Sequence, residues 1–201
     1  MATRFLVFLL LFIGCARQVP HVSPIIPQKT YPQLIDEYIS CSGHGKIDSR
    51  GFFQGALSFT FISQNDSSFF QFKDPLGRKA LLMWLTPVNV TAWNLIENKQ
   101  YTYDQILEFF PFLQVVEPTD ITKFLWGVQP DYEKLEGVDS KVSSEIVLQF
   151  GKEELDTVPN ALVTAFFKDN QLNQSVYIRI KGRSFQHHEI NLQKVWKLIH
   201  S

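Results

Sequence analysis

Cysteine is scarce in this chain. Two in 201 residues cannot build a disulfide scaffold or a four-thiolate zinc site. Excess charge of either sign is missing as well: 19 Lys and Arg stand against 20 Asp and Glu, so no basic footprint recommends nucleic acid as a partner. Catalytic frames are also lacking. There is no Gly-x-Ser-x-Gly, no Walker-type loop, no Gly-x-Gly-x-x-Gly and no His-x-x-x-His, and the five histidines are scattered at 21, 44, 187, 188 and 200. Glu153-Glu154 reads as a solvated turn, His44 has no nucleophile tied to it, and His187-His188, adjacent on a strand, would face opposite sides. The sequence points to a protein that is not an enzyme and needs no metal or cofactor. What it has in plenty is phenylalanine, 18 residues against 4 Trp and 6 Tyr, within a chain that is 45% apolar. That composition belongs to a globular domain with a large aromatic interior.

The longest apolar run is Phe5 to Ile13, nine residues after the single charge of Arg4. A membrane span needs about 20 residues, whereas a basic start, a short apolar stretch and a small residue make a secretory signal. Phe12-Ile13-Gly14-Cys15 resembles a bacterial lipobox, with Phe where Leu is usual at the first position. Residues 1–14 are then a lipoprotein signal peptide, and Cys15 is the lipid-bearing N-terminus. Ala16, where Asp would retain an enteric lipoprotein at the inner membrane, sends it to the outer membrane. Two other readings remain open at this point: an ordinary signal peptide cut nearby, or a disulfide between Cys15 and Cys41.

Residues 15–30 hold Pro20, Pro24 and Pro27 and read as a tether. Leu34, Ile35, Tyr38 and Ile39 are spaced for a short helix that Ser42-Gly-His-Gly45 ends. The period then changes to two. Phe53, Gly55, Leu57, Phe59 and Phe61 alternate with polar or small residues, and Phe70 and Phe72 alternate with Gln71 and Lys73. Ala80 to Leu85 and Asn89 to Ile96 extend the set of strands. Thr102 and Gln105 form a capping box before a helix bearing Ile106, Leu107, Phe109 and Phe110. Thr119 caps a second helix that Gly127 stops. Four strands follow, around Ile146 to Phe150, Leu162 to Phe167, Val176 to Ile180, and Ile190/Leu192 running on to Trp196. With no alternation of strand and helix, the sheet is antiparallel and the fold is α+β, mostly β. Residues 31–201 read as a single domain.

The segment Phe70-Gln-Phe-Lys-Asp-Pro-Leu-Gly77 resembles the strand and turn of the LolB family of outer-membrane lipoprotein receptors. The order that follows is similar too: an apolar strand, a hairpin ending in Gln100-Tyr-Thr102, a helix over 104–110, then Lys123-Phe-Leu-Trp-Gly127. Ile190-Asn-Leu-Gln-Lys-Val-Trp196 resembles the family's closing strand. The likeness spans roughly residues 34–198. It implies a strongly curved antiparallel sheet forming a half-open barrel, with short helices covering the concave face. It also implies a function: the protein would sit on the periplasmic face of the outer membrane as a lipid-anchored monomer. There it would accept lipoproteins from a LolA-like carrier in an apolar cavity and insert them into the membrane. Phe59, Phe61, Phe70, Phe72 and Trp84 are the candidate lining of the acyl-chain cavity. Leu76, between Pro75 and Gly77, matches an exposed leucine that the family uses to engage the membrane. Another lipid or glycolipid as cargo, or a docking role in the envelope, are the rival functions.

Overall fold

The computed structural model describes residues 28–51, 54–114, 116–130, 146–152 and 161–192. The signal peptide, Cys15, most of the tether, Phe53, Glu153-Glu154 and Trp196 lie outside these residues.

Among the described residues the chain forms one nine-stranded sheet, every pairing antiparallel, with three short α-helices. Helix α1 (Tyr31–Glu37) leads into β1 (Ser40–Arg50) and a meander of β2 (Gly55–Gln64), β3 (Ser67–Lys73), β4 (Lys79–Thr86), β5 (Asn89–Asn94) and β6 (Lys99–Gln100). Helix α2 (Tyr103–Phe109), a 3-10 turn (Pro111–Gln114) and helix α3 (Pro118–Leu125) come next. Strands β7 (Ile146–Lys152), β8 (Leu162–Asp169) and β9 (Gln174–Gln186) complete the sheet. The spatial order is β6-β5-β4-β3-β2-β1-β9-β8-β7, so β9 returns beside β1, and the sheet stays open between β6 and β7. This is the mostly β, half-open arrangement expected.

Alternation decides which face is buried. Phe59 pairs with Phe72 and Phe61 with Phe70, which puts four rings on the inner face beneath the helices. Phe112, Ile121 and Phe124 touch both β1–β4 and β7–β9, so the sheet curls until its two halves meet the same helices. A register shift between His44 and Gly45, where β1 crosses β9, adds to that curl.

Four local expectations need correction. Ser42–Gly45 does not end a helix; it lies within β1, because Gly43 and Gly45 leave room for the rings of Phe61 and Phe59 directly across the strand pair. Helix α3 is capped at Glu117 rather than Thr119, since Pro118, lacking an N–H, fits the first helical position. Strand β9 ends at Gln186, so His187 and His188 are not on a strand. Ile190 and Leu192 form no strand either. They fold over the outer face of the sheet, against Phe69, Leu82 and Trp93, and Gln64 fixes the backbone of Ile190 through both its amide atoms at 2.6 and 2.7 Å.

Candidate functional site

The inner face of the sheet is mostly apolar, and three neighbouring spaces run along it beside the helical segment among the described residues. Two are small, about 40 and 30 Å³, each near the room one water takes. The central one is lined by Phe59, Phe70, Phe72 and Met83 from the sheet and by Phe110 and Phe124 from the helical segment. The third is a cleft of about 260 Å³ between β1, β2, β4 and the end of α2. It shares Ile47 and Phe110 with the central space and opens outward past Ser49, Leu57, Ala80 and Ile96. Of the polar side chains in its wall, Asn94 and Tyr101 engage each other, with Ser49 and Gln54 beside them. Asn94 donates to the Tyr101 hydroxyl at 2.6 Å, and its Oδ1 accepts from the amides of Ile96 and Glu97 at 2.9 and 3.0 Å. The surface left for a ligand is therefore apolar, with few groups that demand a hydrogen bond.

The cleft opens at the rim that carries the β3–β4 connection. Asp74 organises this turn. Its Oδ1 accepts from the amides of Leu76 and Arg78 at 2.9 Å each, and its Oδ2 accepts from Arg78 Nε at 2.7 Å. Its backbone carbonyl takes the Gly77 amide at 2.9 Å, and Gly77 adopts φ +80°, which glycine supplies without strain. Desolvation works against the charged form of Asp74, but the Arg78 side chain and the two amides outweigh it and hold the carboxyl below its usual range. With the amides of Leu76, Gly77 and Arg78 all bonded to Asp74, Leu76 stands at the tip with 78% of its surface exposed.

The five candidate lining residues divide. Phe59, Phe70 and Phe72 border the central space. Phe61 is 2% exposed and fills the gap over Gly43, as a packed core residue does. Trp84 is not on the inner face at all. It pairs with Thr91 and Phe69 on the outer face, edge-on to the Phe69 ring at 6.4 Å. Ala80 to Leu85 is apolar on both sides, and it is Leu81, Met83 and Leu85 that face inward, in the main core.

One side chain that sequence reading missed controls how the helices sit. Arg183 is buried and donates from Nε to the Leu125 carbonyl at 2.5 Å, and from one terminal nitrogen to the carbonyls of Leu162 and Phe124 at 2.8 and 3.2 Å. It thus ties the C-terminal end of α3 to β8. Burial lowers its guanidinium to about 10, the neighbouring Cys41 opposing. Next to it, Trp126 Nε1 donates to Ser63 Oγ at 2.9 Å, and Ser68 links Ser63 to Thr122 at 3.0 and 2.9 Å. Cys41 lies beside this cluster, its thiol pushed up to about 12 by burial, with Arg183 opposing. Polar bonds therefore pin the C-terminal end of α3, while α2, the 3-10 turn and the start of α3 rest on the apolar spaces through side-chain packing.

No protein-family model matches this chain, and no curated protein matches its sequence. Among solved structures, a DUF1329 family protein from Desulfovibrio piger is similar at 12% identity and a TM-score of 0.41, over 78% of this chain and 90% of that one.

Proposed function

We propose that this protein receives the acyl chains of lipoproteins in the inner-face cleft and passes them to the outer membrane, to which it is held by a lipid on Cys15. The observation that supports this reading most is one of placement. The roomiest of the three inner-face spaces opens at the same rim from which Leu76 projects, so a chain leaving the cleft would emerge beside that leucine. The donor is a periplasmic carrier of the LolA type, the partner that the family resemblance implies.

The direction of transfer follows from how much of a chain each site hides. Burying a methylene is worth about 0.8 kcal/mol wherever it is buried. A cleft of about 260 Å³ is smaller than the common range of ligand pockets and shelters only part of an acyl chain. A bilayer shelters all of it, so delivery runs downhill without an energy source. Deeper entry would require Phe110 and Phe59 to part, joining the cleft to the central space. Leu76 gains about 1.5–3 kcal/mol on burial, too little to anchor the protein but enough to bias encounter at the rim. Anchoring belongs to the acyl chains on Cys15.

Native mass spectrometry of the full chain purified from envelope membranes tests this reading. Copurified lipoprotein acyl chains are the expected ligand. Free glycolipid as the sole occupant would assign the cleft a different cargo, and an empty cleft that never takes a fatty-acyl probe would overturn the reading.

A further inference from the structure

Leu76 does not stand alone at its rim. The pairings Ser49–Gly55, Arg50–Ser175, Lys73–Lys79, Leu81–Asn94 and Asp169–Gln174 bring the β1–β2, β3–β4, β5–β6 and β8–β9 connections to one end of the sheet. Three of these carry a large aliphatic side chain held out into solvent: Leu76 at 78% exposure, Ile96 at 67% and Leu172 at 55%. The same device presents all three. An Asp or Asn at the strand end accepts the amide of the residue to be projected, Asp74 for Leu76, Asn94 for Ile96 and Asp169 for Leu172, each at 2.9 Å.

Charge at this rim is lopsided. Most of its carboxylates are engaged locally: Asp74 with Arg78, Glu97 with Lys99, and Asp169 with the amides of its own turn, leaving Asp48 beside Arg50. Arg50, Lys73, Lys79 and Lys168 stand at the same strand ends with no carboxylate partner among the described residues. Arg50 and Lys168 also line a broad depression of about 880 Å³ on the adjoining outer face, together with Asp48, Ser175 and Tyr177. The opposite rim differs. Val88 is exposed there at 92%, and the same rim carries Asp66, which accepts from the Tyr31 hydroxyl, and the end of α1, where Glu37 pairs with Lys29.

We propose that the Leu76, Ile96 and Leu172 tips form one docking rim for an anionic lipid surface, with Arg50, Lys73, Lys79 and Lys168 seated among the headgroups. This deepens the transfer reading, on which it rests for the role of the cleft, because three contacts fix an orientation that one leucine cannot. Aliphatic tips enter the boundary between headgroups and acyl chains, and each cation near an anionic surface multiplies partitioning about fivefold. Ile96 belongs both to this rim and to the cleft wall, so docking sets the mouth of the cleft against the bilayer.

The test uses the full chain anchored in vesicles, with an environment-sensitive fluorophore on a cysteine introduced as I96C, L172C or V88C. Peptide mapping confirms that only the introduced thiol is labelled. With phosphatidylglycerol in the vesicles, blue-shifted emission quenched by spin-labelled acyl chains is expected at 96 and 172, and aqueous emission at 88. About 0.5 M salt, or vesicles of phosphatidylcholine alone, should weaken the signals at 96 and 172. Aqueous emission at 96 and 172 would overturn the proposal, as would a shift that occurs only when the carrier protein is added. The K73E/K79E double variant should lose the preference for phosphatidylglycerol; keeping it would overturn the part given to charge. Insertion at 96 and 172 in a protein that takes no acyl cargo would leave the docking rim standing and remove the transfer reading alone.

Discussion

Within the core, the four inner-face phenylalanines of β2 and β3 behave as a unit. Phe70 and Phe72 stack with centroids 5.6 Å apart, and Phe59 lies within 6.4 Å of Phe61, Phe70 and Phe72. Rings so close, with little void between them, carry stability as well as an apolar lining. We expect Phe61→Ala to cost about 3–5 kcal/mol in urea unfolding. Leu76→Ala, at an exposed tip, should stay within about 0.5 kcal/mol. Gly43→Ala should be more damaging than its size suggests, since its Cβ would lie 2.3 Å from the Gly182 carbonyl oxygen, a backbone atom that cannot step aside. Circular dichroism and thermal melts would register the loss. Cys41 offers a check on burial. Its thiol is raised above the ordinary value, so the neutral form stabilises the fold fully below that value, and the contribution is lost as pH climbs toward about 12. Native protein at pH near 8 should therefore resist alkylation at Cys41 until it is unfolded, and rapid native labelling would contradict its placement. The phenylalanine face was legible because Phe59, Phe61, Phe70 and Phe72 alternate with small or polar residues. Trp84 was not, because Ala80 to Leu85 is apolar at every position and gives no parity to read.

Among the elements, α3 and the β3–β4 turn show how side-chain hydrogen bonds position apolar surfaces. Arg183 satisfies three buried carbonyls at once, so Arg183→Leu should cost about 3 kcal/mol or more and loosen α3 from β8. Hydrogen exchange confined to α3 and β8 would reveal it, and unchanged protection there would remove the clamp. Its inward direction was hidden in the sequence. Val176, Ile178 and Ile180 set a phase in which residue 182 faces in and residue 183 faces out, and the register shift opposite His44/Gly45 reverses it. The Ser42–Gly45 segment misled for a related reason: glycines that usually break an element here make space for aromatic rings across the strand pair. The capping box at Thr102 and Gln105, by contrast, reads directly, because reciprocal bonds at 3.1 and 3.3 Å need only residues three apart. In the turn, Asp74→Ala should leave global stability nearly unchanged but let Leu76 collapse onto the sheet, reducing delivery to membranes. Because the Asp74 carboxyl lies below its usual range, the order it gives the turn is complete at neutral pH and is lost as pH falls through that lowered value.

At the scale of the molecule, the described chain begins at the rim opposite the docking rim. Gln28 donates to the Gly127 carbonyl at 2.6 Å, and Tyr31 reaches Asp66 in the β2–β3 turn at 2.8 Å. Under the proposed anchoring, a lipid on Cys15 would tether the domain by its far end. Twelve residues lie between Cys15 and Gln28, and the thirteen steps of chain span up to roughly 45 Å when extended, against about 36 Å for the length of β1. On the proposed anchoring, a tether of that length would let the domain turn its cleft toward the membrane. If Cys15 carries the anchor, mass spectrometry of membrane-bound protein should find it acylated, and Cys15→Ser should yield a soluble or unprocessed product. The most direct test of the transfer mechanism is a two-step assay, from carrier to receptor and from receptor to liposome, run with Leu76→Glu. The substitution places a charge at the exposed tip without touching the cleft. A folded protein that accepts lipoprotein from the carrier but fails to release it into liposomes is the expected result, and normal delivery by that folded variant would contradict it.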